Sequence, residues 1–280
     1  MIVTFPNYKF KTFTLSYDDG TLQDRRLTEI LRKYNLKATF NINSGLFDTK
    51  AIINHYGFEV NLSRISEDEV ADLYNGFEVA VHTLTHPNLT ILSDQQLENE
   101  VLGDKNNLET LTRQNISGLA YPGGTFNNTL ARKLEQMGIK YARTIENQYN
   151  FSIPEDFLMW HPTCHDNDEQ LDSLTEHFIA YNGQELQLFY VWGHSFELDK
   201  NDKDRWANID RFCSTISGRE DIWYATNMDI CNYINASKGL KKQGDYIVNT
   251  SDIDIYLIID NNKTILKGHS QLVGDFSEIL

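Results

Sequence analysis

A (β/α) barrel is the fold that this sequence predicts, on two observations. Apolar, β-prone runs alternate with helix-like segments about seven or eight times over roughly 235 of the 280 residues, the rhythm of successive βα units. Polar residues able to do chemistry collect at the C-terminal ends of those runs, the ends that a barrel gathers on one face. Periodicity alone leaves an open doubly wound sheet as the alternative. No G-x-G-x-x-G or Walker loop speaks for nucleotide binding.

The elements follow in order. "FKTFTLSY" (10–17) reads as the first strand. "TLQDRRLTEILRKYN" (21–35) sets Leu22, Leu27, Ile30 and Leu31 on one helical face. "KATFNIN" (37–43) and "FEVAVHT" (77–83) are strands. Between them "SEDEVADLYN" (66–75) opens with Ser66 and Glu69 in capping-box spacing. "SDQQLENEVLGDKNNLETLT" (93–112) is a long amphipathic helix with the same serine start. "GLAYP" (118–122) and "KYARTI" (140–145) are strands flanking a helix, 127–138, closed by Gly138. "FLMWHPT" (157–163) reads as a strand, 168–183 as a helix, and "LQLFYVWGHSF" (186–196) as the most apolar strand. Helices at 206–218 and 227–237 flank the strand 221–227. After "KKQGD" (241–245) apolar and polar residues alternate around a "DNN" turn, which predicts a β-hairpin or three-stranded appendage. The expected division is a barrel over 1–240 and a small β-rich extension over 241–280 packed on it.

Charge narrows the function classes. Lys and Arg total 25 against 40 Asp and Glu, a net charge of −15. No basic stretch interrupts it, so nucleic acid is not an expected partner. Three widely spaced cysteines, Cys164, Cys213 and Cys231, imply no disulfide framework. Cys213 and Cys231 read as inert helix positions, and Trp206 and Trp223 as core. The N-terminus lacks a signal-peptide pattern and no apolar run is long enough to span a bilayer, so a cytoplasmic, membrane-free protein is the expectation.

The chemistry gathers at strand ends. The first strand ends in Asp18 and Asp19, the third runs into His82 and His86, the fourth ends in "AYPGG", and the most apolar one ends at His194. Asp-Asp-Gly alone is good turn chemistry, and H-x-x-x-H alone is a weak metal signal. Pro87 argues for a turn rather than a helix after His86. Together, one carboxylate and two imidazoles leave positions open for water and substrate, which suits catalytic zinc or a similar divalent ion. Adjacent aspartates can divide the work, one holding the ion and the other taking a proton from an activated water. His194 can supply the acid, and the glycines of "PGG" (122–124) a bare N–H for an oxyanion.

These motifs, "TLSYDDG", "HTLTHP", "AYPGGTFN" and "YVWGHSFE" in this order, resemble the polysaccharide deacetylase family, the NodB-homology or carbohydrate esterase family 4 fold, over about residues 10–235. The resemblance implies a distorted (β/α)7 barrel that removes acetyl groups from N- or O-acetylated sugars with one divalent metal ion, Zn2+ being the expected one. It implies Asp18 as general base, Asp19, His82 and His86 as metal ligands, Gly123 as the oxyanion N–H and His194 as general acid. Thr83 is the small hydroxyl residue usual beside the first histidine, and Trp192 sits where the family builds a pocket for the acetyl methyl. The third motif departs from the family: its arginine, the partner of the base, is replaced here by Ala120. Arg143, at the end of the next strand, is placed to take over. The fourth motif is not clear, and "WHPTCHDND" (160–168) occupies its place.

Other residues are read with less to hold them. His161, Cys164 and His165 have no standard zinc spacing, and a loop lining the substrate cleft, with Trp160 or His165 facing a sugar, is expected instead. Tyr121 and Trp192 could stack on a sugar ring, although core packing serves Tyr121 and Trp160 equally well. His55, His177 and His269 lie away from strand ends and are expected in solvent. Loops 44–65 and 146–168 are expected to shape specificity. An acetylated carbohydrate is the expected substrate; the rivals are a cyclic amide or imide hydrolase on the same barrel and a carbohydrate-binding relative without catalysis.

Overall fold

A computed structural model describes residues 1–200 and 204–273. Eight strands form one sheet: β1 (Lys11–Asp19), β2 (Thr39–Ile42), β3 (Glu78–Val81), β4 (Gly118–Ala120), β5 (Tyr141–Arg143), β6 (Cys164–His165), β7 (Gln187–His194) and β8 (Ile222–Tyr224). They run in the order β5-β4-β3-β2-β1-β7-β6, with β8 pairing the start of β1, and every pairing is parallel. Parallel neighbours need crossovers, and helices supply them. The result is the expected distorted seven-stranded (β/α) barrel.

The run 160–166 links the two ends of this sheet. Trp160 N donates to Ala142 O at 2.9 Å on one side, and Asp166 N to Trp192 O at 2.8 Å on the other. Sequence reading expected a strand over 157–163. Instead Phe157–Met159 makes a 3-10 turn, because the Asp156 carboxylate accepts from Leu158 N at 2.8 Å and holds the chain in a cap. Loop 44–65 likewise contains a hairpin, Ile52–His55 with Phe58–Asn61, whose turn residues Tyr56 and Gly57 both take positive φ, as a type I′ turn requires.

The helices begin where their caps stand. Ser93 and Gln96 form a reciprocal capping box ahead of Asp94–Thr112. Ser66 and Glu69 form one too, but only one α-turn, Val70–Leu73, follows it. Strand alternation then sorts the core. Phe189 and Val191 of β7 join the cluster under the outer helices, whereas Leu188 and Tyr190 join a second cluster with Trp160, Tyr141 and the helix Asn227–Lys238. Asn227 anchors that helix inside the sheet, donating to the Tyr190 hydroxyl and accepting from Thr14 Oγ1 at 2.9 Å.

Beyond residue 240 the chain forms two small sheets. Lys241–Gln243, Tyr246–Asn249 and Ser270–Val273 make one. Ile255–Ile259 and Asn262–Leu266 make the other, and its third strand is Ile2–Thr4 from the N-terminus. The appended sheet is thus shared across the boundary drawn at 240, and residues 274–280 of the expected extension lie outside the described residues. Among the described residues no helix is long and apolar enough to cross a membrane.

One hydroxyl ties these parts together. Tyr233 OH donates to Thr4 O and accepts from Tyr256 N, joining the last helix to both ends of the chain. Tyr233→Phe leaves two buried backbone groups without that partner and is expected to cost about 1–3 kcal/mol, measured by urea unfolding against the wild type.

Candidate active site

The first strand delivers both aspartates to one place, which ordinary strand geometry would not do. Successive strand residues point to opposite faces. Asp19, however, takes φ +85° at the strand's last residue, ahead of Gly20 at φ +64°. Its carboxylate is thereby re-aimed. Asp18 Oδ2 and Asp19 Oδ1 lie 4.0 and 3.9 Å from the same atom, His82 Nε2.

The histidine motif is shaped by the same device. Thr83 and His86 have φ +69° and +61°. Thr83 Oγ1 accepts from His86 N at 3.0 Å, closing the turn that sets the two rings edge-on with centroids 4.8 Å apart. His86 Nε2 lies 4.0 Å from Asp19 Oδ1. His82 is buried, and its Nδ1 sits 2.9 Å from Ala120 O. A carbonyl only accepts, so that nitrogen carries the proton and Nε2 presents its lone pair. Nε2 has no hydrogen-bond partner. Burial, the largest influence, pushes the His82 pKa down to about 4 and keeps the ring neutral.

An orphaned, neutral, inward-facing imidazole nitrogen beside a carboxylate and a second imidazole fits a divalent cation. Asp19, His82 and His86 offer one ligand atom each within 4.8 Å of one another. The carbonyl behind His82 is the outer partner that metal-bound histidines usually have.

Asp18 is held on both oxygens. Asn41, its register partner on β2, donates to Oδ1 at 2.8 Å. Arg143, fully buried, pairs with Oδ2 from the end of β5. Burial opposes ionisation of Asp18, but Arg143, then His82 and His194, outweigh it and hold the carboxyl below its ordinary range. Asp19 is treated likewise: burial raises its pKa, and Arg64, then His194, His82 and His86, drive it well down. His194 is the register partner of Asp18 across β1 and β7, with Nε2 3.9 Å from Asp18 Oδ2.

Gly123 follows β4 in a 3-10 turn with φ +61°, and a Cβ there would meet nothing within 4 Å. The position needs glycine for its conformation and leaves open space beside its backbone. Trp192 lies with its ring 4.6 Å from the Arg143 guanidinium, and its Nε1 donates to Asn147 at 3.0 Å. His165 stands edge-on to Trp192 with ring centroids 4.7 Å apart.

Three sequence expectations are corrected here. Trp160 is fully buried among Tyr141, Phe157 and Tyr190 and faces no cleft. Tyr121 is buried as well, its hydroxyl donating to Leu158 O at 2.8 Å, so it too is core. His55, expected in solvent, packs on Phe196 at 5.5 Å, and Phe196 packs on His194 at 5.2 Å. The hairpin carrying His55 therefore walls the His194 side of the site.

Sequence reading missed four supporting residues. Asn41 could have been found, since it lies level with Asp18 in an otherwise apolar strand. Arg64, 3.1 Å from Asp19 Oδ1, arrives from a loop with no periodic signal. Asp104, mid-helix, accepts from His82 N at 3.0 Å and Ser44 N at 2.7 Å and bears a pKa raised to about 7 by burial. Glu197 joins His165 and His194 in a second cluster of possible ligands. That cluster suits cation binding less well. His165 Nδ1 accepts from Asn167 N at 3.1 Å, which leaves its proton on Nε2, and Lys200 Nζ lies 3.3 Å from Glu197.

Comparison with known proteins agrees with this architecture. The polysaccharide deacetylase family model matches residues 6–142. YxkH of Bacillus subtilis (strain 168), a protein named for that family, is 25% identical over 138 residues, 49% of this chain and 45% of YxkH. The match thus spans under half of that relative's length. A Mycobacterium smegmatis structure named for the family aligns with a TM-score of 0.60 at 16% identity, over 85% of this chain and 94% of that one. The Xyl-CE4 domain of a multidomain xylanase from the hindgut metagenome of Trinervitermes trinervoides aligns at 0.50 and 16% identity, over 82% and 92%. At such identities these two structures speak for the fold alone. Residues 6–142, which carry Asp18, Asp19, His82, His86 and the Gly123 turn, are thus the part of this chain that is similar to the polysaccharide deacetylase family.

Proposed function

We propose that this chain is a metal-dependent hydrolase that removes an acetyl group from an N- or O-acetylated carbohydrate. The observation that carries the proposal is the orphaned His82 Nε2, converging with His86 and Asp19 beside a second carboxylate and a histidine across from it. Asp19, His82 and His86 would hold the ion, for which zinc suits two imidazoles and a carboxylate. When bound, the ion supplies Lewis-acid polarisation and a nucleophile at neutral pH.

The remaining work falls to the chain's own side chains. Asp18, ionised and fixed by Arg143 and Asn41, takes the proton from the attacking water. The Gly123 N–H meets the carbonyl oxygen as it gains charge. His194 gives its proton to the departing nitrogen or oxygen, and acetate leaves. Trp192 covers Arg143, lines the floor beside the acetyl methyl and keeps water from the guanidinium. His165 edges the same wall.

The rival reading as a binding protein without catalysis drew its support from the arginine absent at position 120. Arg143 brings a guanidinium to Asp18 from the neighbouring strand, and that support falls away. No feature of the site favours a cyclic imide over an acetyl group. The net charge of −15 favours a neutral sugar, or one that becomes cationic on reaction, over a polyanion.

Two tests follow. Asp18→Asn is expected to keep the metal and lose turnover by at least about 100-fold, while His82→Ala loses the metal; metal analysis and acetate release on acetylated oligosaccharides check both. Full activity in metal-loaded Asp18→Asn would reject the base assignment. Arg143→Ala removes the charge that offsets the burial of Asp18, so the acid limb of kcat/KM against pH should move to higher pH. The lost buried partner should also cost about 3–5 kcal/mol of stability at neutral pH. An unchanged pH profile would show that Arg143 does not serve Asp18.

A further inference from the structure

Each of the two adjacent aspartates has its own arginine. Arg143 serves Asp18, as described. Arg64 serves Asp19, and it does so in an unexpected place. Its Nη2 lies 3.1 Å from Asp19 Oδ1. That is the same oxygen that stands 3.9 Å from His82 Nε2 and 4.0 Å from His86 Nε2. The oxygen through which Asp19 meets both imidazoles is therefore the one on which a guanidinium rests.

Arg64 is well placed to stay there. It is 8% exposed. Its backbone is pinned beside the aspartate: Arg64 N donates to Thr49 O at 2.9 Å, and Ile65 N to Gly20 O at 3.0 Å. Its Nη1 has no hydrogen-bond partner, so the Asp19 contact is the guanidinium's charge-compensating anchor. The mechanism proposed above gives Arg64 no task. It touches neither the base, the acid nor the turn at Gly123.

We propose that Arg64 competes with the divalent cation for the Asp19 carboxylate and so sets how tightly the Asp19–His82–His86 site holds its ion. This rests on the reading of those three residues as ligands. A guanidinium resting on that oxygen occupies one of its lone-pair directions and must share it with an incoming ion. A fixed positive charge this close to a divalent ion also repels it, in surroundings where water screens little. When the ion is absent, Arg64 offsets the charge of Asp19 and lets two buried carboxylates stand side by side. The site is thus built to exchange its metal rather than to keep it permanently.

The test is zinc titration of chelator-stripped protein by calorimetry, for the wild type, Arg64→Gln, Arg64→Met and Arg64→Lys. Both neutral variants are expected to bind Zn2+ at least about 10-fold more tightly than the wild type, from the removed charge repulsion, and either one suffices if the other does not fold. Arg64→Lys keeps the charge and should stay much nearer the wild type. Thermal unfolding adds a second readout: the neutral variants should melt lower without zinc and gain more from it. A folded neutral variant that binds zinc no more tightly overturns the inference, as does equal tightening in Arg64→Lys. His82→Ala in each background separates this from the ligand assignment. If His82→Ala abolishes binding, the assignment stands whatever Arg64 does; if it binds as the wild type does, the assignment fails and the inference with it.

Discussion

Two carboxylates buried next to each other at the end of β1 are the constraint around which the rest of this face is arranged. An unpaired buried charge is expensive, and two of like sign side by side are worse. The structure answers with two guanidinium groups from different places, Arg143 from β5 for Asp18 and Arg64 from the segment after the hairpin for Asp19. Each approaches a particular oxygen. The aspartates can stay ionised only because the barrel brings these ends together. The barrel in turn tolerates them because they sit at its open rim rather than within its packed middle.

The barrel was legible because its signals are local and periodic. Runs such as 10–17 and 186–196 announce strands by composition, and Ser93 with Gln96 announces a helix start. Asp18, Asp19, His82, His86 and His194 stood out because polar residues at the ends of apolar strands conflict with burial unless they have a purpose. Arg143 could be inferred by the same rule. What stayed hidden depends on distant placement. Arg64 lies 45 residues from Asp19 in sequence and reaches it from the segment after a hairpin, with no periodic link to β1. Asp104 is one acid on a charged helix until the fold turns it onto the His82 backbone. Trp160 and Tyr121 misled because an aromatic near a strand end looks the same whether it meets a sugar or a core. Only the Tyr121 bond to Leu158 and the rings around Trp160 tell them apart.

The appended sheet shows the opposite limit. Its alternating pattern was clear, yet nothing local says that Ile2–Thr4 completes it. The pairing of Ile2 with Ile258 joins residues at opposite ends of the chain. Tyr233 then fixes both to the last helix, whose first residue, Asn227, is bonded inside the sheet near its middle. The two ends of the chain and the barrel floor are thereby one packed unit, on the side away from the aspartates. The contacts that join the chain's ends are gathered there, and the candidate site at the other end.

That separation explains how the active face can carry strain. Asp19, Thr83 and His86 all hold left-handed backbone conformations, each costing on the order of 1–3 kcal/mol for a residue with a side chain. None is replaceable by a relaxed alternative without moving a proposed ligand. A relaxed Asp19 would point its carboxylate to the other face of the sheet, and a relaxed Thr83 would let the chain run straight past His86. Glycine would remove the strain at these positions but also the ligand or the hydroxyl that closes the turn. Gly20 and Gly123 appear only at neighbouring positions where no side chain is needed. Ten other residues with side chains share that conformation among the described residues, so what sets Asp19 and His86 apart is the strain together with their converging oxygen and nitrogen atoms.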